Sequence, residues 1–550
     1  MGRLLQGGFA EAIGAFVSSR STMAHLRDRV VMNPPRSRHG LSGLTALTRR
    51  VGPRECGQGG GGFKSFGTSC AHGGRYDSPM PSPKPTPTIA RGRKGEPSTS
   101  AGFSFSQDQF KQLVDDMLLI ARRRGASDAA VAVSEGIGLS VSVRKGEVEN
   151  VERNRDKSIG VTVFLGQRRG NASTSDFSTA SLEQTVQAAY DIARYTADDP
   201  AAGLPDEQDI VSAAQAQRNL NLFHPWSIDA HAAAELARQA EEAALSTDAR
   251  ITNSEGAGVS AQQGHFYAGN SRGFRGGYAS SRHSLSVSPI AGKGSGMQRD
   301  YWYTSERDPA ALAHPAAVGR YAAERSLARL KSRKIATCEV PVLFESPLAA
   351  GLLGAYVQAT SGGALYRKAS FLMDSLGQQV TAPHLSIDED PFIPKGKGSA
   401  AFDDEGVATQ ARTILHKGVV QSYFLSSYSA RKLGMRTTGH AGGSHNLRLS
   451  SAHTRPDDDL PAMLRKLHRG LFVVELIGQG VNYVTGDYSR GAAGFWVEDG
   501  QIAFPVHEIT IAGQLQAMLK GIVAVGADEY TTGSKTVGSI LIERMKVAGA

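Results

Sequence analysis

A histidine followed directly by a glutamate is how a zinc-peptidase helix begins, with two imidazoles one turn apart holding the metal and the glutamate taking a proton from bound water. His507-Glu508 is such a beginning, but Ile511 and Ala512 stand where the second histidine belongs. Val506, Glu508 and Thr510 alternate with His507, Ile509 and Ile511, which is the period of a strand and sets His507 and Glu508 on opposite faces. His440 and His445 flank Gly442-Gly443 at a spacing that specifies no metal site. Arg272 to Gly277 is glycine-rich but lacks the strand-Gly-helix setting of a phosphate loop. Asp388-Glu389-Asp390 and Asp403-Asp404-Glu405 lie among Gly and Pro and read as solvated turns. Gly478-Gln479-Gly480, with Thr485, Asp487, Ser489 and Arg490 beyond, either lines a peptide groove or makes tight turns between strands at Phe472 and Phe495.

The 550 residues, 40% hydrophobic and 21% charged, suffice for two or three globular domains. No run approaches the ~18 consecutive apolar residues of a membrane span. The net charge of +9 invites a nucleic-acid reading, but residues 1–100 hold 15 Lys/Arg against 5 Asp/Glu, leaving 46 basic and 47 acidic residues in the body. The body therefore carries no electrostatic footprint for DNA or RNA. Cys56 and Cys70 lie in the extension, and Cys338 stands alone at the start of an apolar strand, which excludes a disulfide framework and a cysteine zinc site from the body.

These side chains must be held by elements whose limits the pattern suggests. Residues 1–103 form a low-complexity basic extension, read as disordered, with a targeting segment, a solvated tail and an upstream mis-start before Met80 as its possible meanings. Ser106 caps a helix with Phe110, Leu113, Val114, Met117 and Leu118 on one face. Leu139, Val141 and Val143 alternate as a strand, and a second helix is expected from Ser181, boxed by Gln184. Further helices are expected over Asp229–Leu245 and Ala310–Ser332, and Ser346 with Pro347 opens another that runs to Thr360. Beyond it strands dominate. The class is α+β: N-terminal (104–205) and central (222–333) units of helix on antiparallel sheet, then a strand-rich C-terminal domain (336–550).

Glu152-Arg153-Asn154-Arg155-Asp156-Lys157-Ser158, Gly160 to Phe164, Gly166 to Gly170 and Asn253-Ser254-Glu255-Gly256 resemble the N-terminal half of the PmbA/TldE branch of the TldD/PmbA peptidase family. Ser361 to Lys368, Asp374 to Gly377 and, most specifically, Thr485 to Gly494 resemble its C-terminal half, so that the likeness runs from about Phe105 to the end. In that family the TldD subunit carries a His-Glu-x-x-x-His helix. The helix in the equivalent place here reads Leu352 to Ala359, with Gly354, Ala355 and Ala359 at the ligand and base positions, and no histidine lies between His314 and His384.

The resemblance implies a cytoplasmic subunit with no cofactor of its own, paired as a heterodimer or higher assembly with a TldD-type partner that supplies zinc. Implied substrates are peptides and unfolded protein segments, with antitoxin degradation and microcin maturation as roles and neither nucleic acid nor membrane as partner. Asn253, Ser254 and Glu255 join the Gly478–Arg490 residues as candidates for lining the substrate cleft. Two other readings stay open: an autonomous metallopeptidase with scattered ligands such as His440, His445 and His507, and a non-enzymatic regulator of a target such as DNA gyrase.

Overall fold

The computed structural model describes residues 102–549, so that the basic extension, with Cys56, Cys70 and Met80, lies outside the described residues except for its last two positions. Helix α1 (Gln107–Arg123) begins at a reciprocal cap: the Ser106 hydroxyl accepts the Gln109 N–H (3.1 Å) and the Gln109 side chain accepts the Ser106 N–H (2.8 Å). Strands β1 (Asp128–Arg144), β2 (Glu147–Leu165) and β3 (Arg168–Thr174) follow, then α2 (Thr179–Tyr195). α2 starts before Ser181. Ser178 is its cap, and Ser181 instead donates its hydroxyl to Asp176 (2.6 Å), which also accepts the Ser178 N–H (2.9 Å) and so organises the turn.

After a short turn, α3 (Ala213–Ala216), come α4 (Ala230–Leu245), β4 (Ile251–Asn270), β5 (Arg275–Ala291), β6 (Gln298–Arg299), β7 (Trp302–Glu306) and α5 (Pro315–Ala328). α5 is shorter than expected because Pro309 and Pro315, which have no N–H, confine the upstream residues to a 3-10 turn and place the helix start at Pro315. α4 and α5 touch through small residues, and a Cβ on Gly319 would lie 2.1 Å from the Ala240 carbonyl oxygen. The strands form one antiparallel sheet in the order β3-β2-β1-β4-β5-β6, with β7 also on β5. Since β1 pairs along most of its length with both β2 and β4, segments 104–205 and 222–333 share that sheet.

The remainder runs β8 (Cys338–Phe344), α6 (Ser346–Ala359), α7 (Gly362–Tyr366), β9 (Leu385–Asp390), β10 (Arg412–His416), β11 (Val419–Val420), α8 (Ser427–Lys432) and β12 (Asn446–Ser451). Then come α9 (Leu460–Leu467), β13 (Gly470–Ile477), β14 (Asp487–Glu498), β15 (Gln501–Gln514), α10 (Leu515–Lys520), β16 (Ile522–Val525), β17 (Tyr530–Thr532), β18 (Lys535–Val537) and β19 (Ile540–Ala548). One sheet has the order β11-β10-β9-β12-β18-β17; the other, β15-β14-β13-β8-β19-β16, closes on itself through β15 and β19. α6 is capped at Glu345 rather than Ser346. It is apolar nearly all round, and Leu352, Leu353, Tyr356 and Ala359 share one core with Leu385 and Ile387 of the first sheet and Phe344 and Ile540 of the second.

β15 breaks the simple alternation expected of it. Glu508 has φ 52° and the ladder with β14 slips there, so that Val506, Ile509 and Ile511 share the buried side while Glu508 stands out and pairs with Lys334 (2.9 Å). Buried ions tie α5 to the strand-rich part: Arg325 lies 2.6 Å from Glu345 and 3.3 Å from Asp300, and Arg329 pairs with Asp300 (3.6 Å) and with Glu475. The class is α+β. Among the described residues no helix is long and apolar enough to cross a membrane.

Candidate functional site

Of the three positions on α6 expected to stand where a relative carries metal ligand and base, Ala355 and Ala359 are sunk in the core at 4% and 0% exposure, and Gly354 alone keeps some contact with solvent. Among the described residues, and apart from α6's own nearby backbone, a Cβ placed on Gly354 would meet within 4 Å only Cε of Lys535 on β18, 3.9 Å away. Desolvation holds the Lys535 ammonium below the ordinary lysine pKa. A divalent ion needs lone-pair or anionic donors; a glycine, two alanines and an ammonium group offer none, and the ammonium repels a cation. The residues here do not fit a metal. Among the described residues no three His, Cys, Asp or Glu side chains are grouped to hold one.

Lys535 opens a chain of polar groups that leads from α6 to the central sheet. It pairs across the β17–β18 hairpin with Thr532, whose hydroxyl donates to the Pro347 carbonyl (3.2 Å) at the start of α6. Tyr530 of the same hairpin stacks obliquely on Trp302 of β7, next to Tyr303, with centroids 5.7 Å apart. Beside Tyr303 stands Arg282 of β5; its Nη1 reaches the Ser305 hydroxyl at 3.4 Å, and its buried Nε has no hydrogen-bond partner. Lys397, 13% exposed, lies 3.2 Å from Glu306. Burial holds the pKa of both cations below the usual values, and Glu306 is the one carboxylate drawn to either. Arg307 is different: its guanidinium donates to the carbonyls of Gly396 (3.0 Å), Lys397 (3.1 Å) and Ser281 (3.4 Å) and is pushed down to about 10, chiefly by burial.

The histidines expected in a loop are buried instead. His440 Nε2 meets Glu389 Oε2 at 2.7 Å, His440 Nδ1 meets the Thr438 hydroxyl at 2.8 Å, and the His445 N–H donates to Glu389 Oε1 at 2.7 Å. Burial alone would raise the Glu389 carboxyl, but the hydrogen bond and charge of His440, with His445, bring it below the ordinary value. His507 lies apart in the other sheet, so the three histidines form no ligand set. The acidic clusters are likewise not solvated turns. Glu389 belongs to β9, and Asp403, 4% exposed, accepts the N–H groups of Glu405 (2.9 Å), Val407 (2.9 Å) and Ala441 (3.0 Å), acting as a buried loop organiser.

Asn253, Ser254 and Glu255 occupy a bulge in β4: the Asn253 side chain accepts the Ser254 N–H (2.9 Å), Ser254 Oγ accepts the Gly256 N–H (2.8 Å), and Glu255 pairs with Arg299 (2.8 Å). Gly478, Gln479 and Gly480 are exposed in the β13–β14 loop, and Ser489 donates its N–H to the Gly480 carbonyl (2.7 Å). Thr485 and Gln514 both bond Asp487, and Arg490 has a buried Nε without a partner. Apart from that Nε the two sets satisfy themselves locally, and Lys535, the side chain beside Gly354, belongs to neither. Arg282, Tyr303, Lys397, Tyr530 and Lys535 were not singled out by spacing, because they come from four separate stretches of chain and no stretch carries a motif.

Comparison with known proteins bears on the whole of this arrangement. Residues 129–193, 223–330 and 337–549 match the models of domain 1, the central domain and the C-terminal domain of the PmbA/TldA metallopeptidases. The chain is 49% identical over 426 residues to Metalloprotease PmbA of Escherichia coli O157:H7, covering 77% of this chain and 93% of that one. It is 45% identical over 456 residues to the Metalloprotease PmbA homolog of Haemophilus influenzae, covering 83% of this chain and all of that one. A crystal structure from Bacteroides thetaiotaomicron, named as a candidate modulator of DNA gyrase, superposes with a TM-score of 0.75 at 27% identity over 81% of this chain and all of its own. TldE from Thermococcus kodakarensis shares the fold, with a TM-score of 0.68 at 18% identity over 80% of this chain and all of its own. With three domains matched in order and near-complete relatives at this identity, the chain belongs to the PmbA/TldA metallopeptidase family.

Proposed function

We propose that this chain is the subunit of a TldD/PmbA-type heteromeric peptidase that lacks the metal site, acting in the cytoplasm on peptides and unfolded segments beside a TldD-type partner that holds zinc. The observation that carries this reading is a family C-terminal domain whose ligand helix presents Gly354, Ala355 and Ala359, with the Lys535 side chain beside the first of them. Its own residues then contribute by shaping the cleft and holding an extended substrate, as sheet edges and fixed polar groups do. The bulge at Asn253–Glu255 and the loop from Gly478 to Arg490 remain the cleft-lining candidates in this scheme. A protein named Metalloprotease TldD homolog, from Haemophilus influenzae, is 25% identical over 184 residues, 31% of this chain, which supports a family containing both kinds of subunit.

The test is reconstitution. Purified full-length chain is mixed with a TldD-type protein, and hydrolysis of an unstructured peptide is followed while zinc is quantified in each component. Zinc in the partner alone, and hydrolysis that needs both chains, is the expected result. Equal hydrolysis with and without this chain, or stoichiometric zinc in the isolated chain, would overturn the proposal.

A further inference from the structure

From the grip of β1, β2 and β4 on residues 102–105 we infer that Glu135, Arg155, His265 and Phe223 form a slot for an extended, aromatic-bearing segment of another polypeptide, which the free chain fills with this strap of its own. The inference goes beyond the peptidase reading and needs neither a partner nor hydrolysis. Half-buried Phe103 and Phe105 alternate with exposed Gly102, Ser104 and Ser106, the period of an extended chain lying on a surface. Among the described residues, no backbone hydrogen bond ties 102–105 to the body; two side chains hold this main chain instead. Glu135 accepts the Ser104 N–H through both oxygens (2.9 Å each) and the Phe105 N–H through one (3.2 Å). Arg155 donates to the Gly102 carbonyl (2.6 Å) and to the Ser104 hydroxyl (2.8 Å). Other linkers lie down through backbone pairs, as Val211 does on Gly406 (2.9 Å) and Lys395 on Leu220 (2.9 Å).

Strand register fixes the floor of the slot. β1 sets Glu135 opposite His265 of β4 and Ile137 opposite Arg155 of β2, so carboxylate, imidazole and guanidinium stand on one side of the sheet. Phe103 joins a row of stacked rings: its centroid is 4.1 Å from that of His265 and 5.9 Å from that of Phe223, and Phe110 also stacks on His265 at 4.3 Å. Gly102 rests on Ile137, whose Cδ1 would lie 3.6 Å from an added Cβ. Glu135 is 2% exposed, and its one ion-pair partner among the described residues is His265, at 3.4 Å. A buried carboxylate that loses its donors is costly, so a vacated slot favours any segment that brings two successive N–H groups with an aromatic ring beside them. The strap, joined to α1 at Ser106 and held by no ladder, is the kind of segment that opens locally, below the cost of global unfolding.

The experiment follows binding of a labelled peptide, acetyl-Ala-Gly-Phe-Ser-Phe-Ser-amide, to the isolated full-length chain by fluorescence anisotropy. Phe103→Asp sets a second carboxylate beside Glu135 and drives the strap out. That variant is expected to bind the peptide about tenfold more tightly than the unaltered chain, the size of one charge-assisted contact no longer contested. A peptide N-methylated at its first serine and second phenylalanine offers Glu135 no N–H and is expected to bind the variant about tenfold more weakly than its parent. A peptide with alanine for the first phenylalanine is likewise expected to bind more weakly. Phe103→Ser, which removes the ring without adding charge, serves where Phe103→Asp fails to fold, with circular dichroism as the control. Absence of binding to a folded variant, equal affinity for parent and N-methylated peptides, or equal affinity of variant and unaltered chain would overturn the inference. Reconstituted hydrolysis would be untouched by those outcomes, so the two proposals fail separately.

Discussion

Glu389 has no exposed side-chain surface and is held by His440 and by the His445 N–H. Removing one partner from such a buried pair leaves the other uncompensated, so Glu389→Ala should cost about 3 kcal/mol of unfolding free energy, measured by urea denaturation. The Glu389 carboxyl is held below the ordinary glutamate value, so the unfolded state binds the proton more readily. Its stabilising share is complete above that value and is lost as pH falls through the depressed one, and a pH series of the same titrations should show this acid slope vanishing in the variant. Lys535 behaves oppositely: its ammonium pKa is lowered, so the folded state holds that charge at a cost. Lys535→Met should therefore raise the thermal midpoint at neutral pH, measured by differential scanning calorimetry.

Secondary structure was legible where local chemistry agreed with packing. The Ser106 cap, the alternation of Leu139, Val141 and Val143, and the Asp229 start of α4 stand where spacing puts them. Spacing failed where one residue outcompeted another for the same group, as Asp176 and Ser178 displace Ser181 at α2, or where an inserted residue shifted a register, as at Glu508. It was blind to the pairing of Lys397 with Glu306 near Arg282, since these meet only after β5, β7 and the 396–398 segment have been assembled. The α4–α5 contact offers a test at this scale. Alanine normally improves on glycine in a helix by about 1 kcal/mol, but at Gly319 the added carbon would meet the Ala240 carbonyl at 2.1 Å, and backbone does not yield cheaply. Gly319→Ala should therefore destabilise, by about 1–3 kcal/mol in chemical denaturation; a neutral or stabilising result would mean that the helices are free to separate.

Across the whole molecule, Asp300, Arg325 and Glu345 form the buried link between the central sheet and the strand-rich part. Burial raises the Glu345 carboxyl even with Arg325 beside it. Arg325→Met would strand Glu345 and leave Asp300 only its longer contact with Arg329, at a cost of about 3–5 kcal/mol. Calorimetry should then show the single melting transition splitting or broadening, and the deficit should shrink on acidification as Glu345 takes up a proton and no longer needs a partner.

β8 and β19 are neighbours in the second sheet, with Val342 opposite Ile542 and Phe344 opposite Ile540. During synthesis, Cys338–Phe344 leaves the ribosome long before its partner strand has been made. The central sheet can assemble from strands already at hand, but the core around α6 stays open, with Leu352, Leu353 and Tyr356 uncovered, until Ile540–Ala548 has emerged. The strand-rich half is thus the slow and aggregation-prone step in making this protein, and a chain stopped before β19 should be cleared by proteases while its first sheet is still intact.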